Sequence, residues 1–325
     1  MTSARLEPPQ RGCYCSLMTP QTAIALGTSG DGNEPEASGL SRLGTALGRT
    51  PPTVLLLLSI ISIQLGSALA TVFFSSLGPS GTAFVSTAFS AAVLTLMRPR
   101  PKLDRRVIEH ALFLALFGVA IAGVILFYFI ALQYIPLGIA STVAFLGPLV
   151  VAIATSRRLT DFRWIGLALL GLFLLTPEIG TSLDPVGLFY AGLAAVAWAA
   201  FVPLSKRGQM IFDGVGGLTL GLWLATALIA PFALTEGAFF TAGVTDYLGA
   251  CAVALLATIL PFVMEYRALR RMSAHTYGIL LTLEPALGAV VGAVFLAQGL
   301  GWLAVLAIFC VTLAAMGVTL VHGDE

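Results

Sequence analysis

Every Lys and Arg of the chain falls in alternate gaps between long apolar runs. This arrangement constrains the fold more than any other feature of the sequence. Runs of about 20 apolar residues are what a helix needs to cross the hydrocarbon core of a bilayer. Ten such runs can be drawn, at about 53–74, 79–97, 107–132, 136–155, 162–176, 185–205, 214–234, 245–266, 274–297 and 301–320. Arg5, Arg11, Arg42 and Arg49 precede the first run. The basic stretch RPRPKLDRR comes after the second, and Arg157, Arg158 and Arg163 after the fourth. Lys206 and Arg207 come after the sixth, and Arg267, Arg270 and Arg271 after the eighth. These account for all 17 basic residues. The intervening gaps carry only the acids Glu178, Asp184, Glu236 and Asp246. The positive-inside rule puts the basic gaps in the cytoplasm. Ten spans with both termini cytoplasmic are therefore expected, and a different count would scramble the alternation.

Composition agrees with a chain dissolved in lipid. Hydrophobic residues make up 58% of the 325 and charged residues 10%, against about 25% charged in an average soluble domain. A net charge of +1 gives no reason to expect a nucleic-acid partner. Cys251 and Cys310 lie inside apolar runs and read as small hydrophobes. Cys13 and Cys15 stand in a polar stretch with no His nearby, so neither a metal site nor a disulfide framework is expected. Residues 1–50, rich in Gly, Ser, Thr and Pro, read as a disordered cytoplasmic tail in which Met18 is an alternative start.

The two halves of the remainder echo one another. A shift of 137 residues lays Ala131-Leu132 on Ala268-Leu269 and Pro148 on Pro285. Each proline lies in the fourth run of its half. Five spans is an odd number, so the second copy enters the membrane from the opposite side. The expected organisation is a first five-helix repeat over 51–180 and a second over 181–325, with a short C-terminal tail. Inverted repeats of this kind belong to secondary transporters that work by alternating access.

Particular strings carry a resemblance to a family. PLGIASTVAFLGPLVVAIATSRRLTDFRWIGLALLGLFLLTP (136–177), LPFVMEYRALRRMSAHTYGILLTLEPALGAV (260–290) and SIQLGSALA (62–70) resemble the drug/metabolite transporter superfamily, EamA type, in order and spacing. The resemblance covers roughly residues 53–320. It implies ten helices in two five-helix halves, a cavity lined by spans one to four and six to nine, and a bacterial inner-membrane location. It also implies efflux of small amino acids of the threonine/homoserine type in exchange for protons. Thr71, Ser86 and Ala144 stand where relatives carry charged residues, and Gln298 stands where a Leu-Gly-Glu ending is common. The cargo stays open between an amino acid and another small metabolite or drug-like cation. No enzyme is expected, because no His joins the intramembrane acids Glu265 and Glu284. No P-loop is present to couple ATP, and no cofactor is called for. The expected partners are the small-molecule substrate, protons and the lipid bilayer.

Candidate site residues emerge from the cost of polarity in a membrane. A charge at midspan costs about 2.5–3.5 kcal/mol on insertion scales, so such residues usually face a cavity or a partner. Glu284 is the leading candidate, either to bind the substrate amine and exchange it for a proton or as a protonated group bonded to a neighbouring helix. Glu265 is a second carboxylate, or one half of an interfacial ion pair with the nearby arginines. Gln64 is placed to hydrogen-bond a substrate carboxylate or to glue two helices. Trp198 and Tyr128 either wall the cavity, where they stack on an ammonium group, or pack the core. Pro148 and Pro285 are expected to break spans four and nine and to contribute to a gate. His110 and His275 read as interfacial.

Overall fold

The computed structural model describes residues 50–97, 105–155, 162–174, 183–212, 215–236, 238–269, 271 and 280–322. The tail 1–49 with Cys13, Cys15 and Met18, the basic links 98–104 and 156–161, residues 175–182, and His275 with the start of the ninth run lie outside them. No strand occurs among the described residues, and the chain is built of helices. The principal ones are α1 (Pro52–Val72), α2 (Phe74–Met97), α3 (Ala111–Tyr134), α4 (Leu137–Thr155), α5 (Phe162–Leu174), α6 (Pro185–Ile211) and α7 (Val215–Thr235). Then come α8, which runs as Val244–Ala254, a π-turn Leu255–Ile259 and Leu260–Leu269, α9 (Glu284–Phe295) and α10 (Trp302–His322). Six are long and apolar enough to cross a membrane: Pro52–Val72, Gly78–Leu96, Ala111–Tyr134, Pro185–Ser205, Gly216–Thr235 and Val244–Glu265. Leu137–Val151, Glu284–Phe295 and Trp302–Ala314 are shorter apolar helices.

Helix starts reflect local chemistry. Asp184 precedes α6 and accepts a hydrogen bond from the Val186 amide at 2.8 Å, with Pro185 in the first turn. Asp246 in the first turn of α8 accepts from the Gly243 amide at 2.9 Å. Within α2, Gly78 (φ 73°, ψ 162°) interrupts the helix before Pro79. That backbone is open to glycine at no steric cost. Glu236, just beyond α7, accepts from the Gly81 amide at 3.4 Å and closes off the restarted helix.

The packing is that of a lipid-embedded bundle. Large apolar side chains face outward, among them Leu96 (82% exposed), Leu112 (76%) and Phe173 (69%). The interior holds Ser59, Ser62, Gln64, Ser67, Ser86, Ser90, Ser141 and Thr142 beside alanines and leucines. In water this distribution would aggregate. In lipid it is favourable, because small and hydroxylic residues let helices approach closely while their hydroxyls bond carbonyls of the preceding turn. Ser86, Thr87, Ser90, Ser141 and Thr142 all do so.

The main pairings between α1–α5 and α6–α10 are α1 with α8 and α9, α2 with α7 and α8, α3 with α6 and α7, α4 with α6 and α9, and α5 with α10. Exchanging each helix for the one five places away leaves this set unchanged. α1 meets α8 closely enough that a Cβ on Gly66 would run into the Ala257 backbone. The π-turn there frees the Leu256 carbonyl, which accepts from Ser62 Oγ at 2.7 Å. The extra residue of a π-turn rotates the remainder of the helix by about 100°.

One expectation changes. Span four is not broken: α4 runs through Pro148 without interruption. Gly147 beside it has no side chain to hold α6 away, and a Cβ there would clash with the Ala195 carbonyl. The helix stays continuous where α6 packs directly against the residue before the proline. In span nine the chain turns at Thr282 and Leu283 and a helix begins at Glu284. Pro285 thus sits in a first turn, where its missing N–H has no partner to lose.

Candidate functional site

The centre of α1 carries the polar series Ser59, Ser62, Gln64 and Ser67, all buried. All four reach other helices, Ser62 through its bond to the Leu256 carbonyl of α8. Gln64, with no exposed surface, donates from Nε2 to the main-chain oxygen of Glu284 at 3.1 Å. Ser59 Oγ donates to Glu265 Oε1 at 3.1 Å and is also 2.8 Å from the Leu56 carbonyl. Ser67 lies within hydrogen-bonding reach of the Tyr128 hydroxyl on α3, as does Ser141 of α4.

Glu284 is 7% exposed and opens α9. The dipole at a helix start favours an anion there. Glu265 and Tyr128 both lie within Coulombic range of its carboxyl. Gly288, one turn on, brings α9 onto α1 and α4, since a Cβ at that position would collide with Gln64 Nε2 and Ser141 Oγ. Four of the side chains singled out in the sequence, Glu284, Glu265, Gln64 and Tyr128, therefore converge from α9, α8, α1 and α3. Glu265 and Tyr128 are half-buried, so the cluster is not sealed. A cation or proton entering it would meet two carboxyls, a phenol and an amide in a surround of low dielectric, where such contacts are strong.

Trp198 is placed elsewhere. Its ring meets Phe145 edge-on at 6.1 Å, in a cluster with Leu149, Ala168 and Ala314. His110 is exposed and meets Phe212 edge-on at 6.1 Å. An apolar groove of about 550 Å³ runs between α9 and α10, lined by residues such as Ala289, Val305 and Phe309. It is too apolar to hold a zwitterion. Among the described residues no group of three His, Cys, Asp or Glu is spaced to hold a metal.

The three neutral replacements are locally content. Thr71 Oγ1 donates to the Ala68 carbonyl at 2.7 Å, and Ser86 Oγ to the Ala83 carbonyl at 3.1 Å. Ala144 is buried at 1% exposure. Gln298 accepts from the Leu137 amide at 2.9 Å and so closes the start of α4.

Sequence reasoning missed Ser59, Ser67 and Ser141. The first two had a legible signal, since Ser67 stands three residues from Gln64 and so beside it on the helix. Ser141 had none, because a serine bonded to its own helix is tolerated anywhere in a span.

Known proteins give this geometry a context. The EamA-like transporter family matches residues 185–320. The threonine/homoserine exporter RhtA of Escherichia coli (strain K12) is 36% identical over 278 residues, covering 84% of this chain and 93% of its own. The threonine/homoserine exporter RhtA of Salmonella typhimurium (strain LT2) is 34% identical over 272 residues, covering 83% and 91%. A solved crystal structure, 18% identical, superposes with a TM-score of 0.56 over 84% of this chain and 99% of its own, a likeness of fold alone. With more than a third of the aligned residues identical along most of both lengths, the chain belongs to the EamA-like transporter family.

Proposed function

We propose that the protein exports small amino acids of the threonine/homoserine kind across the bacterial inner membrane in exchange for protons. The observation that carries this is the convergence of Glu284, Glu265, Gln64 and Tyr128 at the start of α9, in a chain whose relatives are named as threonine/homoserine exporters. Glu284 binds the substrate ammonium in one state and a proton in the other. Gln64 and Tyr128 form the walls of that site, and Glu265 adds the second negative group. Trp198 contributes through the packing of α6 on α4.

Ten spans in two inverted five-helix repeats, 51–180 and 181–325, with both termini cytoplasmic, provide the alternating access. The distribution of basic residues supports the count and orientation. The exchange symmetry of the helix pairings supports the repeat. Pro285, in the first turn of α9, stands beside the break at which span nine gates access.

A second reading keeps the fold and the site but changes the cargo to another small metabolite or drug-like cation. The neutral Thr71, Ser86 and Ala144 favour it. Efflux of threonine and homoserine from preloaded cells, with and without the protein, decides between the two. Faster loss that depends on the protein and disappears in Glu284→Gln supports the exporter. Unchanged efflux with well-expressed protein in the membrane moves the cargo to the second reading.

A further inference from the structure

The Gln64 amide is tied down at one end and open at the other. Nε2 donates to the Glu284 main chain, while Oε1 is fully buried and has no hydrogen-bond partner among the described residues. The orientation is dictated by the neighbour: turning the amide over would set Oε1 against a carbonyl oxygen, two acceptors face to face. A buried acceptor without a donor is costly, and such a group in a polar cluster marks a place where a ligand donor is wanted.

Other helices hold the amide in that position. Gly288 lets α9 close on it, and any side chain there would displace Nε2 and press on Ser141 Oγ. Ser141 donates to the Leu137 carbonyl at 2.9 Å, so its lone pairs face the cluster and the Tyr128 hydroxyl. None of the described residues donates to Gln64 Oε1.

We propose that Gln64 Oε1 accepts the side-chain hydroxyl of the substrate, and that Gly288 is the positioning residue that keeps this acceptor aimed. The proposal rests on the reading of Glu284 as the amine site. Because Nε2 contacts the Glu284 main chain, the acceptor lies beside the residue that bears the carboxylate. In a β- or γ-hydroxy amino acid the amine and the hydroxyl are separated by two or three carbons. One such molecule therefore bridges the carboxylate and the amide. An isostere that lacks the hydroxyl leaves the amide oxygen unpaired, and sites of this construction reject such analogues strongly. Gln64 then sets the preference for hydroxylated over purely aliphatic amino acids.

The test compares threonine with valine and homoserine with norvaline as cargo of the full chain in proteoliposomes. The wild-type protein is expected to move each hydroxylated member at least about tenfold faster than its isostere. Gln64→Met should lower threonine transport about tenfold more than it lowers valine transport, collapsing the ratio. Gly288→Ala, in which Gln64 keeps its chemistry but loses its place, should lower the same ratio and carries the test if Gln64→Met is not recovered folded. A threonine-to-valine ratio unchanged in both variants overturns the proposal, as does an equal fall for both cargoes. Glu284→Gln separates this result from the underlying reading: retained transport there, with the ratio still collapsed in Gln64→Met, removes Glu284 from amine binding and leaves the hydroxyl acceptor standing.

Discussion

The stretch around Gly147-Pro148 on α4 and that around Glu284-Pro285 on α9 occupy corresponding places, 137 residues apart. Each helix packs on the first helix of the other half, α4 on α6 and α9 on α1. Their contents differ. On α4 the position before the proline is a glycine pressed against the Ala195 backbone, the helix is continuous, and the neighbours are Phe145 and Trp198. On α9 the position is a buried glutamate at a helix start, with Gln64, Glu265 and Tyr128 around it. The proposed function uses one of the two elements for packing and the other for chemistry. The carboxylate lies on the element whose helix begins there and which meets a polar neighbour, Gln64, on the facing helix.

The largest effect is expected from forcing the packed copy to resemble the polar one. Gly147→Glu puts a Cβ into the Ala195 carbonyl and a carboxylate against an apolar ring, so folded protein should be lost from the membrane, seen as absence of a monodisperse peak after detergent extraction. Next is Glu284→Gln, which keeps shape and hydrogen-bonding capacity. Transport should fall at least about tenfold with thermal stability in detergent unchanged, since the role proposed depends on charge rather than packing. Ser59→Ala removes one donor to Glu265 and should slow transport about two- to fivefold, consistent with a single hydrogen bond to a charged group. Smallest is Trp198→Phe, where an aromatic ring still meets Phe145 and transport should stay within about twofold. A large loss of transport in that variant with stability intact would sharpen the comparison differently, by making the α4–α6 contact part of the cargo path.

Much of the fold was legible because membrane helices announce themselves by length and apolarity. The observed ends of α1, α4, α7 and α10 fall within about two residues of the runs drawn from the sequence. The mid-helix π-turn of α8 was only partly legible: Pro261 just after it signals a disturbed helix, but the contacts of Ser62 and Gly66 from a helix about 190 residues away do not show in the sequence. The two prolines looked equivalent in sequence and are not. A proline states only that one N–H is missing, and the surrounding packing decides whether the helix stops. The polar members of the site could be named because burying Glu284, Glu265 and Gln64 in lipid demands a reason. Trp198 could not be assigned in this way, since an aromatic ring is equally at home against a cavity or against Phe145.

The central claim is that Glu284 is the group at which substrate and proton exchange. It is tested most directly in proteoliposomes loaded with radiolabelled threonine, by imposing a pH gradient with the exterior acidic and measuring efflux. The account predicts that the gradient accelerates efflux through the wild-type protein and has no effect on Glu284→Gln at equal protein content. Acceleration of the same size in Glu284→Gln would contradict it and place the coupling group elsewhere in the membrane.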